Sequence, residues 1–406
     1  MLNLIVKLPK IKVRAFKFRF DKHIPIIISL VVILGIGIFV SKAKISKLQN
    51  SLTNVTQEKD KNLEGLQRIA SELEILKNQD QLKRNNELQE EIKNIQKAYD
   101  RAISVYENLL DLKDKTSKTK ELDELFSKVL SYLSQRNYSS ALETINTLDK
   151  KIKEENAKLT ASFTIPENVP QTNAPPGSGY SRQQVTTDLG VFMVSIVAAD
   201  LASTKVIVDT ASESDCSNDC PTLPLATYVP RNGAYAGIHG AYACPAEYPS
   251  CAGKTNSFDL LIMNKNKYYF NSANNVYSTN PAVIFGNGWI RFVAHASEWG
   301  RDTSVDGVLS NFPLLIYNNN VTYSEPGDNK MSIKSSRGFV ANKGSAVYIG
   351  VVFNATVADS AKVMKALGME NAINLDGGGS TALWYQGGYK AGPGRDLTNV
   401  ILFLKK

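Results

Sequence analysis

Residues 346–385 read AVYIGVVFNATVADSAKVMKALGMENAINLDGGGSTALWY, and three periodicities follow one another within them. AVYIGVVF is an unbroken run of β-branched and aromatic residues, the pattern of a buried strand. In ATVADSAKVMKALG the apolar positions Val357, Ala361, Met364 and Leu367 recur at helical spacing and share one face. Gly368 follows as the stop of that helix. NAINLD returns to a strand pattern and delivers Asp376 into Gly377, Gly378 and Gly379. Upstream lie further short apolar runs, VFMVSIVAAD (191–200), KVIVD (205–209), FDLLIM (258–263), KYYF (267–270) and WIRFVA (289–294). Together they predict an α+β catalytic domain over 181–406, with a mixed β-sheet and long decorated loops.

The loop NLDGGGST carries the chemistry. Three glycines at the end of a buried strand let a ligand approach the main chain with no β-carbon in the way, and a turn of exposed amide hydrogens is a nest for an anion. Taken alone, GGG also fits a plain hairpin turn. The aspartate before it and the Ser380–Thr381 pair after it add an acid and two hydroxyls at the same place, which favours a site. Asp376 is therefore the principal candidate carboxylate, able to attack a carbon, activate water or stabilise developing positive charge. The competing role is a cap on the glycine turn.

NLDGGGST resembles the signature of the phosphodiester glycosidase family, which includes the lysosomal enzyme that uncovers mannose 6-phosphate by removing N-acetylglucosamine. The resemblance extends over most of 180–406. GIHGAYACP (237–245) is similar to the family's apolar-Asn-Gly-x-aromatic segment, with His239 where the family usually has asparagine. SSRGF places Arg337, and GRDLTNVILF places Arg395 and Asn399, at family positions. The resemblance implies cleavage between a sugar's anomeric carbon and a phosphate esterified to a second group. The leaving phosphate monoester is already a stable anion, so cationic donors matter more than in ordinary glycoside hydrolysis, where two carboxyl groups share the work. Arg337 and Arg395 are the expected phosphate clamps, with Gly377, Gly378, Gly379, Ser380, Thr381 and Asn399 lining the substrate and phosphate site. His239 joins Asp376 as a catalytic candidate. EWGRDTSVDG (298–307) adds Glu298, Arg301, Asp302 and Asp306, of which Glu298 is the candidate second carboxylate and the rest suit a solvated loop.

The remainder of the 406 residues is built differently. The first 23 hold seven basic residues against the single Asp21 and form a basic cytoplasmic tail. That tail carries most of the formal charge of +8, so the rest of the chain is nearly balanced and offers no nucleic-acid footprint. Residues 24–40, IPIIISLVVILGIGIFV, are uncharged and long enough to cross a membrane as a helix. A cleaved signal peptide is the rival, disfavoured by the basic SKAKISK that follows. More basic residues before the span than after it put the N-terminus inside and the catalytic domain outside the cell.

Residues 41–115 lack proline, and Leu66, Ile69, Leu73 and Leu76, then Leu88, Ile92, Ile95, Tyr99, Ala102, Tyr106 and Leu109, recur in steps of three and four. That is a coiled-coil seam, interrupted over 77–86, and it implies a homo-oligomer. A helical hairpin (116–160) and a linker with four prolines (161–180) lead into the domain. Cys216, Cys220, Cys244 and Cys251 fall within one short stretch. In an exported domain they read as two disulfides with three possible pairings, and a four-thiolate zinc site is the alternative. No cofactor is required by the sequence, no metal-ligand set is evident, and a divalent ion such as calcium is compatible with the acidic loop. The expected substrate is a glycan or glycolipid phosphodiester of an envelope polymer or exopolysaccharide. A non-catalytic glycan-binding scaffold that dimerises through its helices is the second reading.

Overall fold

The computed structural model describes residues 24–272, 278–324 and 329–406; the basic tail lies outside the described residues. Two compact units divide the chain, Met1–Ile92 and Lys93–Lys406.

In the first unit the described residues belong to one helix, Ile24–Lys113, which continues into the second. Its apolar start is long enough to cross a membrane, with a mean hydropathy of 2.1 and none of it buried. An anchor and a signal sequence both satisfy that description. Leu66, Ile69, Leu73 and Leu76 are exposed. The helix itself runs unbroken through 77–86, where every residue tolerates helical geometry and none is Gly or Pro.

In the second unit the end of that helix joins Lys120–Ser134 and Tyr138–Ser162. Ala98, Ala102, Val105, Leu109 and Leu112 bury themselves against Leu122, Val129, Ile145, Leu148 and Ile152. Tyr106 stacks on Phe126 at 4.5 Å. The apolar stripe from Ala98 onward is thus covered within the chain, and its buried face includes Ala98 and Val105 while Tyr99 stays 45% exposed. Residues 169–174 lie along the strand Gly179–Thr187, where Gln184 pairs with Pro170 and Thr172 through the backbone.

Among the described residues the rest is built on three sheets. The largest runs in the order Gly179–Thr187, Gly190–Asp200, Ala346–Ala355, Ser335–Lys343, Asn371–Gly377, Leu314–Tyr317, Asn320–Val321. The helix Val357–Ala366 connects Ala346–Ala355 to Asn371–Gly377, capped by Thr356 and Asp359 and ended by Gly368 at φ +70°. These two strands are not neighbours, because Ser335–Lys343 lies between them and pairs antiparallel with both. For that reason the sheet is antiparallel rather than mixed: among the described residues every ladder between its strands is antiparallel, and the one parallel pairing is an isolated bridge, Gln171 with Gln184.

The second sheet orders Gly388–Ala391, Leu383–Tyr385, Ala236–His239, Asn399–Lys405, Thr204–Thr210; the third orders Tyr269–Phe270, Ile262–Met263, Gly307–Ser310, Ala282–Gly286, Trp289–Val293. Between the sheets sits one apolar core that includes Val197, Ile238, Val283, Val340, Ile373 and Ile401. The crossover helix covers the other face of the large sheet. Asp376 emerges where Asn371–Gly377 leaves this core.

Candidate active site

The strand Asn371–Gly377 is buried over Ala372 to Leu375 and opens at Asp376. Its neighbours fix the aspartate's backbone: the Asp376 amide donates to the carbonyl of Gly240 at 3.0 Å, and its carbonyl accepts from His239 Nε2 at 2.6 Å. With the backbone held, the side chain faces a cleft of about 570 Å³, also lined by Tyr248, Asp259, Arg337, Gly377 to Ser380 and Arg395. Oδ1 accepts from the Gly377 amide at 2.8 Å. Oδ2 has no hydrogen bond among the described residues.

The glycines serve close approach. Gly378 has φ +58° and begins a turn of 3-10 helix, Gly378–Ser380, whose leading amides have no partner inside the turn. A β-carbon on Gly379 would sit 2.3 Å from Arg395 Nη2 and 2.3 Å from Asp114 Oδ2. The Arg395 amide donates to the Gly379 carbonyl at 2.7 Å, which ties the closing motif to the loop. Ser380 and Thr381 are buried; Ser380 lines the cleft, and the Thr381 hydroxyl points to the Ser336 carbonyl at 3.5 Å.

The charged groups around the loop feel one another. Burial lowers the basicity of Arg395, yet the surrounding Asp376, Tyr248, Asp114 and Glu247 outweigh it and hold the guanidinium above its ordinary value. Its ion pairs are with Asp114 at 3.4 Å and Glu247 at 3.8 Å. Burial, and secondarily the negative charge of Asp376, pushes the carboxyl of Asp259 up against the opposing pull of Lys254. Burial also raises Tyr248 well above the ordinary phenol range, assisted by Asp111, to which its hydroxyl donates.

The other expected site residues have different placements. His239 is fully buried. The Ala382 amide donates to Nδ1 at 3.1 Å while Nε2–H donates to Asp376, so both ring nitrogens are used. Burial pulls its pKa down; a neutral imidazole that orients the Asp376 backbone is what this arrangement describes. Arg337 is buried and gives Nη2 to the Lys330 carbonyl at 2.7 Å and Nε to the Ala355 carbonyl at 3.2 Å. Asn399 holds the Ala241 amide at 2.7 Å. Glu298 caps its own turn, accepting from the His295 amide at 3.0 Å, and does not line the cleft. The cysteines pair as Cys216–Cys220 and Cys244–Cys251, which excludes the four-thiolate zinc reading. Among the described residues, no group of three or more His, Cys, Asp or Glu could hold a metal ion.

Four further contributors were not singled out by sequence reasoning. Tyr248 stands inside the Cys244–Cys251 loop, Asp259 on the segment after it, and Asp111 and Lys115 come from the helical unit. The signal for Tyr248 was its position between two paired cysteines. Nothing local marks the others, since their proximity to Asp376 is purely tertiary.

No curated protein matches the chain. Among solved structures it is similar to a hypothetical protein from Synechocystis, with 13% identity, a TM-score of 0.40, and coverage of 56% of this chain and 62% of that one. The chain therefore spans 62% of the length of that protein. It is also similar to the catalytic domain of zebrafish N-acetylglucosamine-1-phosphodiester α-N-acetylglucosaminidase auto-inhibited by its pro-peptide, with 15% identity, a TM-score of 0.45, and coverage of 59% and 87%. A third is an exported protein from Burkholderia pseudomallei, with 11% identity, a TM-score of 0.33, and coverage of 53% and 74%. Residues 232–404, which contain the glycine loop, its histidine and the closing arginine motif, match the family model described as phosphodiester glycosidase, and the likeness to that family is thereby shown for this stretch.

Proposed function

We propose that the chain is a membrane-anchored hydrolase that breaks the bond between a sugar's anomeric carbon and the phosphate of a phosphodiester, in an envelope glycopolymer, exopolysaccharide or glycolipid. The observation that carries this is the meeting of Asp376, with one carboxylate oxygen open to the cleft, and Arg395, whose charge is reinforced by that carboxylate, across a loop where only glycine fits. A carboxylate beside a cationic clamp suits a reaction in which positive charge grows on the sugar while negative charge leaves on the phosphate. Asp376 attacks the anomeric carbon, activates water or stabilises the sugar cation. Asp259, with its proton held more tightly than an ordinary carboxyl, is the natural partner for proton transfer. The apolar helix holds the domain at the membrane, and the exposed stripe around Leu66 to Leu76 is where a second copy would associate.

Asp376→Asn tests the reading, because it keeps size and most hydrogen bonding while removing the charge. Turnover of methyl N-acetylglucosamine 1-phosphate should fall about a hundredfold or more, roughly 2.7 kcal/mol of transition-state stabilisation, with little change in melting temperature. An asparagine variant within a few fold of the parent would show Asp376 to be a cap. A folded parent that binds this diester without cleaving it would favour the scaffold.

A further inference from the structure

Most cations of the cleft are already committed. Lys153 pairs with Asp149 at 2.9 Å, Lys330 with Glu107 at 3.7 Å, and Arg395 with Asp114 and Glu247. Arg337 gives donors to backbone carbonyls. Lys115 and Lys334 alone among the described cleft cations have no carboxylate within 4.0 Å and no such commitment to carbonyls. Of these, Lys334 sets its ammonium 5.9 Å from the ring of Phe192.

Lys115 is placed differently. It follows the end of the long helix, with its amide on the Leu112 carbonyl at 2.9 Å, and its Nζ donates to Asn156 Oδ1 on Tyr138–Ser162 at 3.1 Å. It lines the 570 Å³ cleft and also a second hollow, of about 660 Å³, that shares Gly378, Gly379 and Arg395. The side chain keeps access to solvent, but protein crowds it. That crowding holds its ammonium below the ordinary lysine range, assisted by Arg337 and opposed by Asp111 and Asp114. A charged amine with one neutral partner, at the rim of a glycine loop, has donors left for an anion.

We propose that Lys115, contributed by the helical unit, is a second anion-recognition residue of this cleft and receives the phosphate of the diester beside Arg395. The proposal rests on the reaction proposed above. It makes the helical unit part of the site: the chain segment before the domain supplies a substrate contact as well as a spacer. An ammonium is a compact point charge that accepts phosphate in several orientations, which suits a polymer whose second ester group varies.

The test uses the full chain in detergent micelles, with inorganic phosphate as probe in titration calorimetry. Lys115→Met should weaken phosphate binding about tenfold or more, Lys115→Arg should restore most of it, and Lys334→Met should leave it within about threefold. KM for methyl N-acetylglucosamine 1-phosphate should rise in the methionine variant with kcat changed far less. Phosphate affinity should also fall with rising pH at a lower pH than an ordinary lysine, near 10.4, would produce. Unchanged phosphate binding in Lys115→Met overturns the assignment. So does a loss equally complete in the arginine variant with a lowered melting temperature in both, which would mark Lys115 as a clamp between two helices. A parent that binds phosphate through Lys115 yet leaves the diester intact refutes the hydrolase reading and leaves the anion site standing.

Discussion

His239 is fully buried, with Nε2–H donating to the Asp376 carbonyl and Nδ1 accepting from the Ala382 amide. The glycine-flanked segment around it marks the site in the sequence, and an imidazole in such a place invites an acid-base assignment. Tertiary packing decides otherwise, because a β-carbon on Gly338 would lie 2.1 Å from Nε2, so the edge of the ring fills the space beside that glycine with both nitrogens occupied. Since burial lowers its folded pKa, the unfolded chain takes up a proton first as pH falls, at about 6.5. The stability that neutral His239 contributes is complete above that pH and is lost as pH falls from there through the lowered folded value. We expect the urea midpoint of the parent to drop more between pH 7.5 and 5 than that of His239→Asn. Parallel pH profiles for the two proteins would show that His239 does not titrate with folding. Asp376 is the opposite case: its place at a strand end before three glycines was readable because the requirement is local, whereas Asp259 and Lys115 reach the same cleft from segments with no local mark.

At the scale of elements, sequence periodicity identified the crossover helix and the strands at either side of it, including the stop at Gly368. Strand direction was less accessible. A strand, helix, strand unit ordinarily joins adjacent parallel strands, and only the tertiary structure inserts Ser335–Lys343 between them. The apolar stripe of the long helix was visible too, but spacing of three and four does not distinguish a partner chain from two later helices of the same chain. The cysteine loop offers a test at this scale. Cys244–Cys251 closes a short loop that presents Tyr248 to Asp111 and the Ser250 amide to Glu107 at 3.1 Å. Replacing both cysteines by alanine should cost roughly 2 to 3 kcal/mol for a ring of this size, measured by urea unfolding. It should raise KM as well, because the loop positions a wall of the cleft. Four free thiols in protein purified without reductant would contradict the pairing.

For the whole molecule, an uncharged apolar span, a proline-free helical stretch and a strand-rich segment use different residues and follow one another along the sequence. What composition does not reveal is that the helical unit from Lys93 onward packs over the glycine loop, through Glu107, Asp111 and Asp114. The strand-rich domain and the end of the long helix therefore belong to one compact unit, Lys93–Lys406. The proposed topology, with the basic tail inside and this body outside the membrane, can be probed with protease. Residues 169–174 are held against Gly179–Thr187 and Val169 is buried, whereas Pro166, Glu167 and Asn168 are exposed. Protease added to spheroplasts should nick the chain at 166–168, and the two pieces should stay together until denaturant separates them, because the helical unit remains docked. Cleavage that appears only after lysis would put the domain on the inner side and overturn the topology.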